Sequence, residues 1–345
     1  MRIGLARAAV WLPEGFEDAA FIAQNTGIPE AIVRSKLGIV RKCRARPDEH
    51  PSDMAVKASQ KVLKGLDPAS IDLVIWTGSE YKDYPVWTAA IFVQEQLGLT
   101  NAWAFDLAAR CSSNLVGLKV AKSMMLADRS LNRVLLCGGH RTGDLVNYQD
   151  PNTRFLYSLS DGGSALLLER DGPNPILESA IITDGSFSKD VIIPAGGTRE
   201  PNRGITIPEH TYLTVPDMEG MRERLADRSI RNFTHVIREA AKRSGGHSID
   251  YLGLLHLKPS AHHAILQELG LSPDQSVFMD HFGHFGAPDQ VVSLGLAERE
   301  NKLKPGDHVV LASAGIGYVW SAIALDWEQP ILMEYDSLGA HLCAV

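Results

Sequence analysis

Along most of the chain, short unbroken apolar runs alternate with longer stretches in which apolar residues return every third or fourth position. Residues 3–12 read as a first strand; the run contains Arg7 and breaks at Pro13-Glu14-Gly15, which is not the form of a signal peptide. Residues 14–36 are mixed and helical in part, 36–41 form a short turn and strand, and a polar loop follows to residue 51. The stretch 52–63 reads as a helix opened by the capping Ser52. Residues 72–76, apolar throughout after Asp72, read as a strand covered on both faces. A helix over 88–97 and a strand over 102–107 lead to Cys111, after which Leu115, Leu118, Val120 and Ala121 keep helical spacing. Buried strands follow at 133–137 and, after the turn Asp161-Gly162-Gly163, at 164–169.

The second half repeats the theme. It predicts a strand over 176–183, one long amphipathic helix over 217–243 closed by Ser244-Gly245-Gly246, and a strand over 250–255 that delivers His256. Helices follow over 260–269, stopped by Gly270 and Pro273, and over 290–300; closing strands at 308–312 and 321–325 flank the loop 313–317. Alternating strands and helices predict a layered α/β fold. The similar element orders predict an internal duplication into halves 1–172 and 173–345, joined near 171–175. The segment 186–216, long, irregular and holding Pro and Gly, is expected to lie over the site.

Composition narrows the function. The chain has 345 residues, 45% of them hydrophobic, enough for a sizeable core. Its net charge of −7 gives no basic footprint for nucleic acid. Cys43, Cys111, Cys137 and Cys343 lack CxxC spacing and suggest neither a disulfide framework nor a zinc site. No apolar run reaches the length of a membrane span, so a cytoplasmic location is the default expectation.

Candidate chemistry gathers at three places. Cys111 stands where a strand hands over to a helix, so the positive end of the helix dipole favours its thiolate. It is a candidate nucleophile, although a buried free cysteine also serves as a small hydrophobe. His256 ends a buried strand and His284 lies in the Gly-rich Phe282-Gly-His-Phe-Gly286. Either can take the thiol proton, or donate from a neutral Nε2–H to an oxygen that becomes negative in the transition state. The loop 313–317, at Ile316, can supply a backbone N–H that completes an oxyanion hole with the Cys111 amide. His256, His262, His263, His281 and His284 are not supported as a metal site, having neither HExxH spacing nor paired cysteines.

These stretches together resemble the β-ketoacyl-ACP synthase III group of the thiolase superfamily, which also includes HMG-CoA synthase. The resemblance runs over nearly the whole chain. It is carried by Leu37-Gly-Ile39, Ser52-Asp-Met-Ala55, Ile71-Asp-Leu-Val-Ile75, Ala104-Phe-Asp-Leu-Ala-Ala-Arg-Cys111 and Ser160-Asp-Gly-Gly-Ser-Ala165. His256, Phe282-Gly-His284, Gly306-Asp-His-Val-Val-Leu311, the Gly loop and Trp320 complete it. It implies a five-layered αβαβα fold, a homodimer and no cofactor beyond the CoA or ACP phosphopantetheine thioester that serves as substrate. It also implies that Cys111 accepts an acyl group and that a second thioester, as its enolate, attacks it to form a carbon–carbon bond. His256 matches the family histidine.

Two departures bear on the chemistry. His284 stands where the family usually has Asn; Cys-His-His enzymes exist among the elongating synthases, so His284 either still donates to the enolate oxygen or the decarboxylation of a malonyl extender is lost. The residues after His256, Leu-Lys-Pro, are closer to HMG-CoA synthase, and Glu80 falls near where that enzyme has its general base. Lys36 and Arg41 fall where the family contacts CoA phosphates, with Lys258 as a further cation. Tyr84 matches a residue that crosses the dimer interface, and Arg110 adjoins the nucleophile. The expected function is acyl transfer to Cys111 followed by condensation to a 3-oxoacyl product. The alternatives are a non-decarboxylative condensation with Glu80 as base, O- or N-acyl transfer, and a non-catalytic subunit of a hetero-oligomer.

Overall fold

The computed structural model describes residues 2–201, 207–226, 228–334, 338 and 342; Cys343 lies outside the described residues. The strands are β1 (Ile3–Trp11), β2 (Gly15–Asp18), β3 (Arg41–Arg44), β4 (Leu73–Trp76), β5 (Trp103–Asp106), β6 (Arg133–Arg141), β7 (Asp161–Arg170), β8 (Ile176–Thr183), β9 (Tyr251–Leu254), β10 (His308–Gly315) and β11 (Val319–Asp326). The helices are α1 (Ala19–Thr26), α2 (Glu30–Ile32), α3 (Pro51–Leu63), α4 (Ala89–Gln96), α5 (Ser113–Ala127), α6 (Met218–Ala226), α7 (Ser229–Arg243), α8 (Pro259–Leu269) and α9 (Asp289–Arg299).

Two sheets form the frame, ordered β1-β7-β6-β4-β5 and β8-β11-β10-β9. In the first, β4 runs parallel to both β5 and β6 while β7 runs antiparallel to β1 and β6. The second repeats that pattern: β8 and β11 antiparallel, β11 and β10 antiparallel, β10 and β9 parallel. β5 has no counterpart and is an edge strand. α5 and α9 pack between the sheets, α3 and α4 cover the outer face of the first, and α7 and α8 that of the second. The result is the five-layered thiolase-like fold of two pseudo-repeated halves.

The hydrophobic pattern explains the layering. Every residue of β4 is buried, as its unbroken apolar run predicted. α9 is buried from Asp289 to Ala297, so it shows little polar face, and Gly295 leaves room for the side chains of Leu332 and Leu338. α7 is strongly amphipathic and lays Phe233, Val236, Ile237, Ala240 and Ala241 on the second sheet.

The structure corrects the sequence in three places. The expected single helix over 217–243 is two: α6 lies over the central cavity with Met221 inward, and α7, from Ser229, lies on the second sheet. Ion pairs anchor that cap: Arg224 to Asp190 at 2.5 Å and Arg228 to Asp184 at 2.7 Å. The loop expected over 313–317 shrinks to residues 316–318, since β10 and β11 stay paired from Ser313↔Ser321 to Gly315↔Val319. Before β3, the turn is a wide helical one, Val33–Leu37, ended by Gly38 at φ +73°.

A polar cluster ties the β2–β3 hairpin to the entry of β7. Lys42, fully buried, donates to the Leu159 carbonyl at 2.7 Å and lies 3.2 Å from Glu17. Arg44 pairs with Asp161 at 2.9 Å and Asp144 at 2.6 Å. A buried charge is tolerated only when partnered this fully. The strap this cluster holds, residues 158–160, is the one against which the His284 loop is laid.

Candidate active site

β5 ends at Asp106, and the chain reaches α5 through the tight turn Arg110–Ser112, which carries Cys111. Arg110 sits at φ +55°, a conformation that costs about 1 kcal/mol or more for a residue with a Cβ. The Ser113 hydroxyl fixes the turn, accepting from the Ala109 amide at 3.0 Å and donating to the Arg110 carbonyl at 2.7 Å. From the other half of the chain, Ser313 Oγ donates to the Cys111 carbonyl at 2.8 Å. The thiol is thus held at the start of a helix and remains partly open to the cavity.

His284 Nε2 lies 3.2 Å from Cys111 Sγ, and its Nδ1 lies 2.6 Å from Asp289 Oδ2. A carboxylate only accepts, so Nδ1 carries the hydrogen and Nε2 faces the thiol as a base. Asp289 is fully buried and saturated with donors: Oδ2 also takes the His256 amide at 2.7 Å, and Oδ1 takes the Phe285 amide at 2.7 Å. Burial opposes protonation of His284, but the Asp289 carboxylate and the Cys111 sulfur outweigh it and hold its pKa well above the usual histidine range. The three side chains stand in line, an arrangement that can act as nucleophile, base and orienting carboxylate.

The loop that presents His284 is fixed at its backbone. The His284 amide donates to the Ser158 carbonyl at 2.7 Å and the Ser160 amide donates to the His284 carbonyl at 2.9 Å. Gly283, at φ +74°, passes so close to this strap that a Cβ would fall 2.6 Å from the Ser158 oxygen and 2.7 Å from Lys42 Cβ. Gly283→Ala is therefore expected to displace His284 and to slow iodoacetamide alkylation of Cys111 about tenfold. It should also cost about 1–3 kcal/mol of stability, read from the unfolding midpoint. Wild-type alkylation in that variant would show that the loop does not set the base.

The other sequence-derived candidates are placed as follows. His256 lines the same cavity, but its Nε2 lies 3.1 Å from the Gly38 carbonyl and must donate there, leaving Nδ1 without a partner. The Nε2–H expected to serve an oxyanion is spent on the backbone, and burial, the main influence on the ring, keeps it neutral. Glu80 and Arg110 pair at 2.7 Å on the cavity rim. A carboxylate held in an ion pair and open to solvent lacks the dry surroundings on which its reading as a base rested. Arg41 is buried in β3 with its guanidinium 5.4 Å from the Phe16 ring centroid, so it is not a surface cation. Lys36 is exposed beside the cavity-lining Leu37, and Lys258 lines the cavity with Arg154 and Arg222. Tyr84 is 65% exposed, outside the cavity, with its ring edge-on to Trp87. Ile316 lines the cavity from the β10–β11 turn, and its amide meets no acceptor among the described residues.

The cavity holds about 1330 Å³ and contains Cys111. From the segment 186–216, expected over the site, Ile193, Ala195, Thr211 and Leu213 line it, and α6 adds Met218, Met221 and Leu225. Sequence reasoning missed Asp289, whose place at the start of a helix reads as ordinary capping; the spacing of His284 and Asp289 was the available signal. It also missed His140, a buried residue near the end of β6.

Comparison with known proteins places these features among condensing enzymes. The profile of 3-oxoacyl-[acyl-carrier-protein (ACP)] synthase III matches residues 105–185, and that of the synthase III C-terminal region matches 240–327. The β-ketoacyl-[acyl-carrier-protein] synthase III of Symbiobacterium thermophilum is 29% identical over 333 residues, covering 95% of this chain and 98% of its own. That of Chlorobium phaeovibrioides is 25% identical over 339 residues, covering 95% and 100%. Among solved structures, β-ketoacyl-ACP synthase III of Thermus thermophilus superposes with a TM-score of 0.81 at 24% identity, over 95% of this chain and 100% of its own.

Proposed function

Since the chain is a 3-oxoacyl-ACP synthase III-like condensing enzyme of the thiolase fold, we propose that it loads an acyl group from a CoA or ACP thioester onto Cys111 and condenses it with a second thioester. The observation that carries this reading is the hydrogen-bonded series Cys111–His284–Asp289. His284 Nε2 takes the thiol proton and the sulfur attacks the thioester carbonyl. The oxyanion is received by the amides of Cys111 and Ile316. Collapse breaks the bond to the carrier sulfur, which leaves with the proton held on His284. In the second half-reaction, His284 takes an α-proton from the second thioester, and the resulting carbanion attacks the acyl carbonyl. The new carbon–carbon bond expels the Cys111 sulfur, which recovers the proton.

One observation favours a second reading. His284 is backed by a carboxylate and so is built to accept a proton, where the family Asn can only donate. A base of this kind serves a hydroxyl or amine acceptor equally well, which gives O- or N-acyl transfer from the same acyl-enzyme. The complete series of three side chains speaks against a merely structural subunit.

The homodimer is supported by the unpaired edge of β5, where Trp103 is 50% exposed, and by the neighbouring exposed Ile91, Tyr84 and Val86. Arg154, Arg222 and Lys258 on the cavity wall would meet carrier phosphates. No helix among the described residues is long and apolar enough to cross a membrane, in keeping with a cytoplasmic enzyme.

The test is product analysis by mass spectrometry with acetyl-CoA as donor and a second acetyl-CoA, an alcohol or an amine as acceptor. A 3-oxoacyl thioester establishes the condensation. An ester or amide alone, with no carbon–carbon product, moves the assignment to acyl transfer. Failure to acylate from a panel of CoA and ACP thioesters overturns both.

A further inference from the structure

β4 and β6 are parallel neighbours, and their carboxyl ends meet below Cys111. The pairing continues past β4, where the Ser79 amide donates to the Gly139 carbonyl at 3.0 Å. This sets Ser79 beside His140, and both line the cavity that contains the Cys111 sulfur, with Thr142 just beyond. Carboxyl ends of parallel strands are where open α/β sheets receive ligands.

His140 is the unusual member of this wall. It is only 4% exposed, yet its Nε2 has no hydrogen-bond partner. The ring lies close against the loop that carries His284: a Cβ on Gly286 would come within 2.9 Å of its Cε1 and 3.0 Å of its Nδ1. Gly286, at φ +88°, is thus what allows an imidazole to stand here. Burial, reinforced by the nearby His284, keeps that imidazole neutral, with a pKa lowered to about 3. A buried nitrogen without a partner is costly, and a purely packing residue at this place would be a Leu or Phe.

We propose that His140, supported by Ser79, forms a polar subsite for the acyl group carried on Cys111, and that the preferred acyl chain bears a neutral oxygen, a hydroxyl or keto group, near its carbonyl. This rests on the reading of Cys111 as the acyl carrier. A neutral imidazole satisfies a hydroxyl or a ketone with one hydrogen bond. A carboxylate would call for a cation, and the one that adjoins the nucleophile, Arg110, is engaged by Glu80. Leu145, Leu156 and Leu159 give an acyl chain apolar surface in the same cavity, whose other cations, Arg154, Arg222 and Lys258, are those read above as meeting carrier phosphates.

The experiment compares single-turnover loading of Cys111 from butyryl-CoA and from 3-hydroxybutyryl-CoA, followed by intact mass. Wild type is expected to load the hydroxylated chain about tenfold faster, the worth of one buried hydrogen bond. His140→Phe should reverse the order, and His140→Gln should retain most of it. Alkylation of Cys111 by iodoacetamide, which needs the His284 base but no acyl pocket, should stay within about twofold of wild type in both variants. Equal or faster loading of butyryl-CoA by wild type, or of unsubstituted chains only, overturns the proposal. So does a His140→Phe protein in which both acyl groups and alkylation slow together. Should that variant not fold, the wild-type preference and His140→Gln decide. A wild type that alkylates but takes no acyl group from any thioester would instead retract the assignment of Cys111 as acyl carrier.

Discussion

Cys111→Ala is expected to take up no acyl group from any thioester, while the wild-type protein gains the mass of one acyl group. The alternatives among the described cysteines are closed. Cys43 and Cys137 are buried; burial pushes both thiols up, that of Cys137 to about 12, so neither supplies a thiolate at neutral pH. Among the described cysteines, only Cys111 combines access to the cavity with a histidine 3.2 Å away. Because the thiol is partly exposed and its backbone is held by Ser113 and Ser313, the variant should unfold within about 1 kcal/mol of wild type. The loss of turnover is expected to exceed about a thousandfold, as for other enzymes that lose their nucleophile. An acyl adduct that survives in the Ala variant would place the nucleophile elsewhere.

Asp289→Asn is expected to slow acylation of Cys111 by about 10²- to 10⁴-fold, the range found when the carboxylate behind a catalytic imidazole is made neutral. The direction follows from the contacts. Three donors converge on this carboxylate, from His284 Nδ1 and the amides of His256 and Phe285. An Asn amide has one acceptor oxygen, so at least one donor would face another donor, at a cost of about 1–3 kcal/mol in stability. The electrostatic effect is separate. Burial lowers the pKa of His284, and Asp289 is the first influence that raises it. Removing that charge makes the imidazolium less favourable, so the rise of Cys111 alkylation should move to higher pH. A structural defect alone would lower the alkylation rate without moving its pH profile, and a profile that stays in place would remove Asp289 from the proton path.

The strands were legible because their patterns are simple. β4 is an unbroken apolar run, β6 and β10 each hold one at 134–137 and 309–312, and a run buried on both faces looks the same in sequence as in the fold. The break between α6 and α7 was not, since α6 has too little apolar surface to announce that it lies off the sheet; the pairs Arg224–Asp190 and Arg228–Asp184, which tie this stretch to the 184–190 segment, are tertiary. In the site, Cys111 and His284 were visible as types of residue, and the structure brings them within hydrogen-bond reach. Their geometry was not visible. The tautomer of His256 depends on the Gly38 carbonyl, and the exposure of Glu80 depends on Arg110; each partner is set by tertiary contact. Arg41 shows the same limit: strand β3 is short and largely polar in sequence, yet Arg41, Lys42 and Cys43 are buried.

That the carbonyl of Cys111 is held by Ser313, and its sulfur by a histidine laid down just ahead of α9, has a consequence for synthesis of the protein. As the chain leaves the ribosome, the nucleophile emerges long before the groups that arm it. The first sheet can pair fully by residue 170 with its thiol still lacking a base. Nascent chains therefore carry an ordinary cysteine among abundant cellular thioesters, and the enzyme acquires its reactivity only when the last strands close.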